Sequence, residues 1–197
     1  MNTLVIATHN RKKAGEMVMI LQGYFPSLEI KTLADFDGAP EPEETGTTYR
    51  DNARIKVESA VAFTGLPCIA DDAGLEIDAL DGAPGLYSKR FGGEDLDFPS
   101  KMARILELME GAEDRSARFR CCVAYAAPGM SVEEFEATCE GRIGLGASGT
   151  GGFGYDPIFW PDGLDCTMAD LTPEQKHAIS HRGKVLRAFA ERMGALT

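Results

Sequence analysis

The sequence has no run approaching the ~18 consecutive apolar residues that mark a membrane-spanning helix. Its opening Met-Asn-Thr-Leu-Val-Ile-Ala-Thr enters a strand with no basic leader, so the expectation is a cytoplasmic protein without membrane attachment. Positive charge is also short: 20 Lys and Arg stand against 31 Asp and Glu, a formal net charge of −11. No general surplus of cations is available to displace the counterions of a nucleic-acid backbone, so a nucleic-acid polymer is not an expected partner. Any local gathering of basic residues is correspondingly informative. The five cysteines, Cys68, Cys121, Cys122, Cys139 and Cys166, are odd in number and lack Cys-x-x-Cys or Cys/His spacing, which argues against a structural zinc site. Most lie in apolar, strand-like surroundings, where a reduced thiol acts as a small hydrophobe. The chain lacks a Gly-x-x-x-x-Gly-Lys-[Ser/Thr] phosphate loop. It also lacks a nucleophile elbow, and Ser180 reads as a cap.

What remains is an ordinary globular composition: 197 residues, 44% hydrophobic and 26% charged. That length fits a single domain over residues 1–197 with room for two lobes. Thr3 to Ala7 reads as a buried strand ending at Thr8-His9-Asn10, followed by a helix with Met17, Ile20 and Leu21 at helical spacing. Strand, polar turn and helix form a ligand-binding junction in α/β proteins. The helix N-terminus attracts anions, and Lys13 adds a mobile charge. Leu28 to Leu33 is a second strand, and Gly38 to Glu44 an acidic, proline-rich loop. Thr48-x-x-Asp51 is a capping-box signature for a helix that buries Ala53, Val57, Ala60 and Val61. Asn52 and Lys56 share a face of that helix at i and i+4, either as phosphate contacts or as a plain exposed pair.

Leu66 to Ala70 is a short buried-type strand with Asp71-Asp72 directly after it, ahead of a flexible Ala73-Gly74 and a second strand carrying Leu75 and Ile77. Successive side chains of a strand face opposite sides, so one carboxylate can hold a metal while the other lies near a water. A solvated Asp-Asp turn is the plainer reading. Pro99 opens a helix whose Met102, Ile105, Leu106 and Met109 form a core stripe, and Arg118 to Ala126 and Glu133 to Ile143 read as paired strands. The glycine-dense run Gly149 to Pro157 is either a tight turn or a backbone that approaches a ligand closely, with Phe153 or Tyr155 able to stack on a base. Thr172-Pro173-Glu174-Gln175 caps a C-terminal helix. Lys176, His177, His181, Arg182 and Lys184 then cluster, with Ser180-His181-Arg182 at a break between two helices.

These blocks together resemble the inosine triphosphate pyrophosphatase family, over nearly the full length and in the family's order. They are Thr8-His9-Asn10-x-x-Lys13, Glu43-Glu44-Thr45-Gly46, Ile69-Ala70-Asp71-Asp72-x-Gly74-Leu75, Gly82-Ala83-Pro84-Gly85, Ser88-x-Arg90, Gly151 to Pro157 and Ser180-His181-Arg182-Gly183. The resemblance implies an α/β fold: a long mixed β-sheet flanked by helices in two lobes, a substrate cleft between them, and a homodimer. It implies hydrolysis of ITP, dITP and XTP to the monophosphate and pyrophosphate, clearing these nucleotides before they enter DNA or RNA, with Mg2+ as cofactor. Asp71 matches the general base, Asp72 a magnesium ligand and Glu43 a second acidic metal contact. Thr8, His9, Asn10, Arg11, Lys12 and Lys13 match the phosphate-binding turn. Ala73, Phe153, Gly154, Tyr155, Asp156, Lys176, His181 and Arg182 match further substrate contacts, with Arg182 or His181 expected to read the purine 6-oxygen. His9 stands where many members have Gly, and Ala73 where Ser is common. A pyrophosphatase of other modified nucleotides, such as pyrimidines, and a nucleotide-binding regulator without turnover are the rival readings.

Overall fold

The computed structural model describes residues 2–194. Six strands form one mixed sheet in the order β2-β1-β3-β4-β5-β6: β1 Thr3–Ile6, β2 Glu29–Thr32, β3 Cys68–Ile77, β4 Ser116–Ala126, β5 Glu133–Ile143 and β6 Phe159–Pro161. The helices are α1 Arg11–Tyr24, α2 Tyr49–Thr64, α3 Phe98–Leu108, α4 Pro173–Ile179 and α5 His181–Arg192. β1 runs parallel to β2 and to β3, each reached through a helical crossover as parallel pairing requires. β6 is antiparallel to β5. The chain divides into two compact units: one holds residues up to Asp72, Cys121–Ala137 and the segment from Arg182, the other Ala73–Arg120 and Thr138–His181.

In the first unit, Leu4, Val5 and Ile6 of β1, Met17 and Leu21 of α1, Val57 of α2, Ile69 of β3 and Val185, Leu186 and Phe189 of α5 are all buried. Phe189 draws in the rings of Phe25, Tyr125 and Phe135. α2 starts where the sequence places it: Thr48 accepts from the Asp51 amide, and the Asp51 carboxylate accepts from the Thr48 amide. It ends at Gly65, whose φ of 67° lies in the left-handed region that glycine occupies without a Cβ penalty. Thr48→Ala is expected to cost about 1 kcal/mol through the lost cap. Urea unfolding should show a lower midpoint at an unchanged slope.

One strand, β3, replaces the two that the sequence suggests. The backbone stays extended through Asp71, Asp72, Ala73 and Gly74, and nothing turns at Ala73-Gly74. Carboxylates are costly in a buried strand unless paired, and both have partners, described below. In the second unit Leu75 and Ile77 continue β3 into a core with Met102 and Ile105 of α3, Met109 at its C-cap, Phe119 of β4, Ile143 of β5 and Phe159 of β6. The methionine-bearing stripe of α3 is therefore core, as its spacing predicts. The break between α4 and α5 falls at Ser180, which caps the C-terminus of α4, while Gly183 lies buried inside α5. All five cysteines are free and four are buried. Among the described residues no helix is long and apolar enough to cross a membrane.

Candidate active site

The two neighbouring carboxylates of β3 point to different partners, as strand alternation requires. In the first unit, Asp71 Oδ2 accepts from Arg182 Nη2 at 2.7 Å and Nε at 3.2 Å, and Lys13 Nζ lies 3.3 Å from the same oxygen. Glu16 of α1 takes the other side of the guanidinium, Nη1 to Oε2 at 2.5 Å. Both Asp71 and Arg182 are fully buried. Burial alone would raise the Asp71 carboxyl, but Lys13, Arg182 and Lys56 overcome it and hold the group well below the ordinary carboxylate range. Its Oδ2 is thus committed to cations, and a carboxylate held so firmly in its ionised form has little tendency to take up a proton. Its other oxygen, Oδ1, is buried without a hydrogen-bond partner among the described residues.

Asp72 faces α2. Oδ2 accepts from Asn52 Nδ2 at 3.2 Å, and Oδ1 from Lys56 Nζ at 3.0 Å. Lys56 also binds Glu44 Oε1 at 2.9 Å. Asn52 is buried, and its Oδ1 accepts from the Gly46 amide at 2.9 Å. A Cβ on Gly46 would press on Asp51 and Asn52, so the acidic loop closes onto α2 only with glycine there. Asn52 and Lys56 are therefore not a plain exposed pair; they fasten Asp72. Burial raises the Asp72 carboxyl, a push that Lys56 and Lys13 oppose and Glu44 reinforces, and the net direction is upward. Glu44, not Glu43, reaches this cluster. Glu43 is exposed, its backbone carbonyl accepting from the Thr45 amide.

The remaining turn residues divide by role. Asn10 is the N-cap of α1, its Oδ1 accepting from the Lys12 and Lys13 amides at 3.0 and 3.1 Å, and Thr8 Oγ1 accepts from the Asn10 amide. Arg11 and Lys12 are exposed on the first turn, and His9 meets the Pro40 carbonyl.

The second unit holds a separate group. Asp156 Oδ2 accepts from the Phe153 amide at 2.8 Å and from Lys176 Nζ at 2.7 Å, and the Lys176 ammonium sits 4.5 Å from the centroid of the Phe153 ring. The glycine-rich loop is thus wrapped around a buried ion pair; a Cβ on Gly152 would strike the Asp156 carboxylate. Tyr155 is buried, donates from its hydroxyl to the Ser88 carbonyl at 2.8 Å and meets Phe98 edge-on. It is core, and Phe153 is half-buried. His181 stacks on Phe119, ring centroids 4.8 Å apart. Ala73 and Gly154 are partly buried.

The Ham1 family profile matches residues 4–192. This chain belongs to the Ham1 family. Its relatives include the dITP/XTP pyrophosphatase of Rhodospirillum centenum, 47% identical with 97% of this chain and 94% of that protein covered. The protein of the same name from Exiguobacterium sibiricum is 45% identical, with 93% of each covered. Among solved structures, the HAM1 protein of Coxiella burnetii superposes with a TM-score of 0.88 at 36% identity over 100% of both chains. The Staphylococcus aureus Ham1 protein gives 0.87 at 36% over 97% of each.

A hard divalent cation takes oxygen ligands, and magnesium typically uses one or two carboxylates together with substrate phosphates. In this Ham1 chain Asp72 and Glu44, both on Lys56, bring two carboxylates together, and Asp71 Oδ1 is a further buried oxygen without a partner among the described residues. The donor set fits magnesium. Among the described residues no three acidic, thiol or imidazole side chains stand together in ligating geometry.

The depressed Asp71 carboxyl also sets an acid limit on stability. The folded state binds fewer protons here than the unfolded state, so the stabilisation is complete above the unfolded value of about 4 and is lost as pH falls through and below it. Wild-type unfolding free energy should therefore drop below about pH 5. Asp71→Asn should be less stable at neutral pH by roughly 3–5 kcal/mol, the cost of uncompensating a buried charge, with a flatter acid limb in denaturant titrations across pH.

Proposed function

We propose that this protein hydrolyses ITP, dITP and XTP to the nucleoside monophosphate and pyrophosphate, removing deaminated purine nucleotides from the pool used for DNA and RNA synthesis. The observation that carries the proposal is the adjacent pair Asp71-Asp72, one oxygen set tied to Arg182 and Lys13 and the other to Lys56 and Asn52, in a chain whose relatives bear the name dITP/XTP pyrophosphatase. Mg2+ is the proposed cofactor, held by Asp72 and Glu44 with Asp71 Oδ1 nearby in sequence and buried. When bound it offsets charge on the phosphate oxygens and aligns the chain for in-line attack.

Asp72 is the proposed proton acceptor. Its side chain is still 10% exposed, against 0% for Asp71, so a water can reach it, and its two oxygens can divide between a metal and a proton. Asp71 fixes Arg182 and Lys13. Lys13, with the amides and cations of the turn from Thr8 through His9, Asn10, Arg11 and Lys12, receives the phosphate tail and stabilises the departing pyrophosphate. Phe153, Gly154, Asp156 and Lys176, with His181, form the proposed purine side, and Ala73 offers a backbone amide. A cytoplasmic homodimer is the proposed working form, as the family resemblance implies.

Incubation with a panel of nucleoside triphosphates and separation of the products tests this directly. ITP, dITP and XTP should give monophosphate and pyrophosphate in equal amounts. ATP presents an amine donor where these present an acceptor oxygen, and an unpaired buried donor costs about 1–3 kcal/mol, so ATP should be turned over roughly tenfold to hundredfold more slowly. Preference for a modified pyrimidine triphosphate would move the substrate class, and tight binding without turnover would identify a regulator.

A further inference from the structure

We propose that Lys56 is a built-in counter-ion that keeps free divalent metal off the Asp72–Glu44 pair, so that metal enters with the triphosphate and not before it. The proposal rests on the reading of this cluster as the metal–triphosphate site. One ammonium bridges the two carboxylates, 3.0 Å from Asp72 Oδ1 and 2.9 Å from Glu44 Oε1, with its side chain only 14% exposed. Those are the oxygens a hard divalent cation would seek. Two cations sharing them repel, and that repulsion is strong where solvent is scarce. On Asp71, Arg182 and Lys13 already hold Oδ2, and only the buried Oδ1 remains.

The residue type suits an occupant that can leave. Lysine carries a compact charge on a flexible four-carbon stem, without the planar fork that lets arginine lock onto a carboxylate. Asn52, one turn earlier on α2, holds Asp72 Oδ2 and is itself held by the Gly46 amide. Asp72 therefore keeps its orientation when Lys56 withdraws. A metal already chelated by a triphosphate arrives with its charge more than neutralised. The repulsion from Lys56 then becomes attraction.

Titration of Mn2+ into nucleotide-free protein, with free Mn2+ read by electron paramagnetic resonance, tests this without any turnover. Lys56→Met and Lys56→Gln should bind Mn2+ at least roughly tenfold more tightly than wild type, the scale of removing one nearby unit charge. Lys56→Arg should stay close to wild type. Circular dichroism melting checks folding, and Lys56→Gln carries the test if Lys56→Met is poorly folded. Wild type supplies an arm independent of any variant: its Mn2+ affinity should rise at least roughly tenfold with a non-hydrolysable α,β-methylene analogue of ITP. Variants that bind Mn2+ no more tightly than wild type, or a wild type that binds it equally well with and without the analogue, would overturn the proposal. If wild type turns over no nucleoside triphosphate, the proposed function fails, while the nucleotide-free titration still reads Lys56 by itself.

Discussion

Asp72→Asn is expected to lower kcat for ITP by at least the roughly 10²–10⁴-fold typical of losing a positioned proton acceptor, without loss of stability. Its carboxyl is pushed upward by burial despite the cations around it, so a neutral amide relieves a desolvation cost that offsets the one acceptor position, toward Asn52 or Lys56, that it gives up. The adjacent substitution should behave in the opposite way. Asp71→Asn strips a buried guanidinium, held by Asp71 and Glu16, of a carboxylate partner, and should unfold more readily as well as turn over slowly. Thermal melts run beside single-turnover rates separate the two cases. If Asp72→Asn keeps near-wild-type turnover, the proton goes elsewhere; if it melts far below wild type, Asp72 is a structural ion-pair member like its neighbour.

Arg182 supplies the second large effect. Its guanidinium lies with Asp71 and Glu16 in the first unit, where it is fully buried. Arg182→Ala should therefore destabilise the fold by about 3–5 kcal/mol, because two carboxylates lose their common cation. It should depress kcat/KM for ITP and for ATP in parallel. Arg182→Lys, which keeps the charge but loses the fork, should retain more stability and show the same parallel loss. A large selective loss for ITP in the lysine variant would return Arg182 to the base-reading role that the family resemblance implies.

That revision shows where sequence reading reached and where it stopped. The strand-turn-helix at Thr8 to Lys13, the capping boxes at Thr48 and Thr172, and the core stripe of α3 were legible because each depends on spacing along a few residues. The opposed directions of Asp71 and Asp72 followed from strand alternation alone. Partner choice did not, because it depends on contacts between distant segments. Asn52 and Lys56 visibly share a helix face, but that face is buried only because Asp72 of β3 lies against it. Glu43 and Glu44 are equivalent in an acidic loop until the Gly46 amide pins that loop to Asn52 and turns Glu44 toward Lys56. Glu16 was passed over entirely. The available signal was its place one residue before Met17 and four before Ile20, where a buried carboxylate requires a cation. His181 and Arg182 are neighbours in sequence, yet a helix boundary at Ser180 delivers the ring to Phe119 and the guanidinium to Asp71.

The most direct measurement of the proposed chemistry is the fate of the attacking oxygen. ITP hydrolysed in heavy-oxygen water, with the products resolved by mass spectrometry, should place the label in IMP and leave pyrophosphate unlabelled, because water attacks the α-phosphorus. Label in pyrophosphate, or release of IDP with labelled inorganic phosphate, would contradict it.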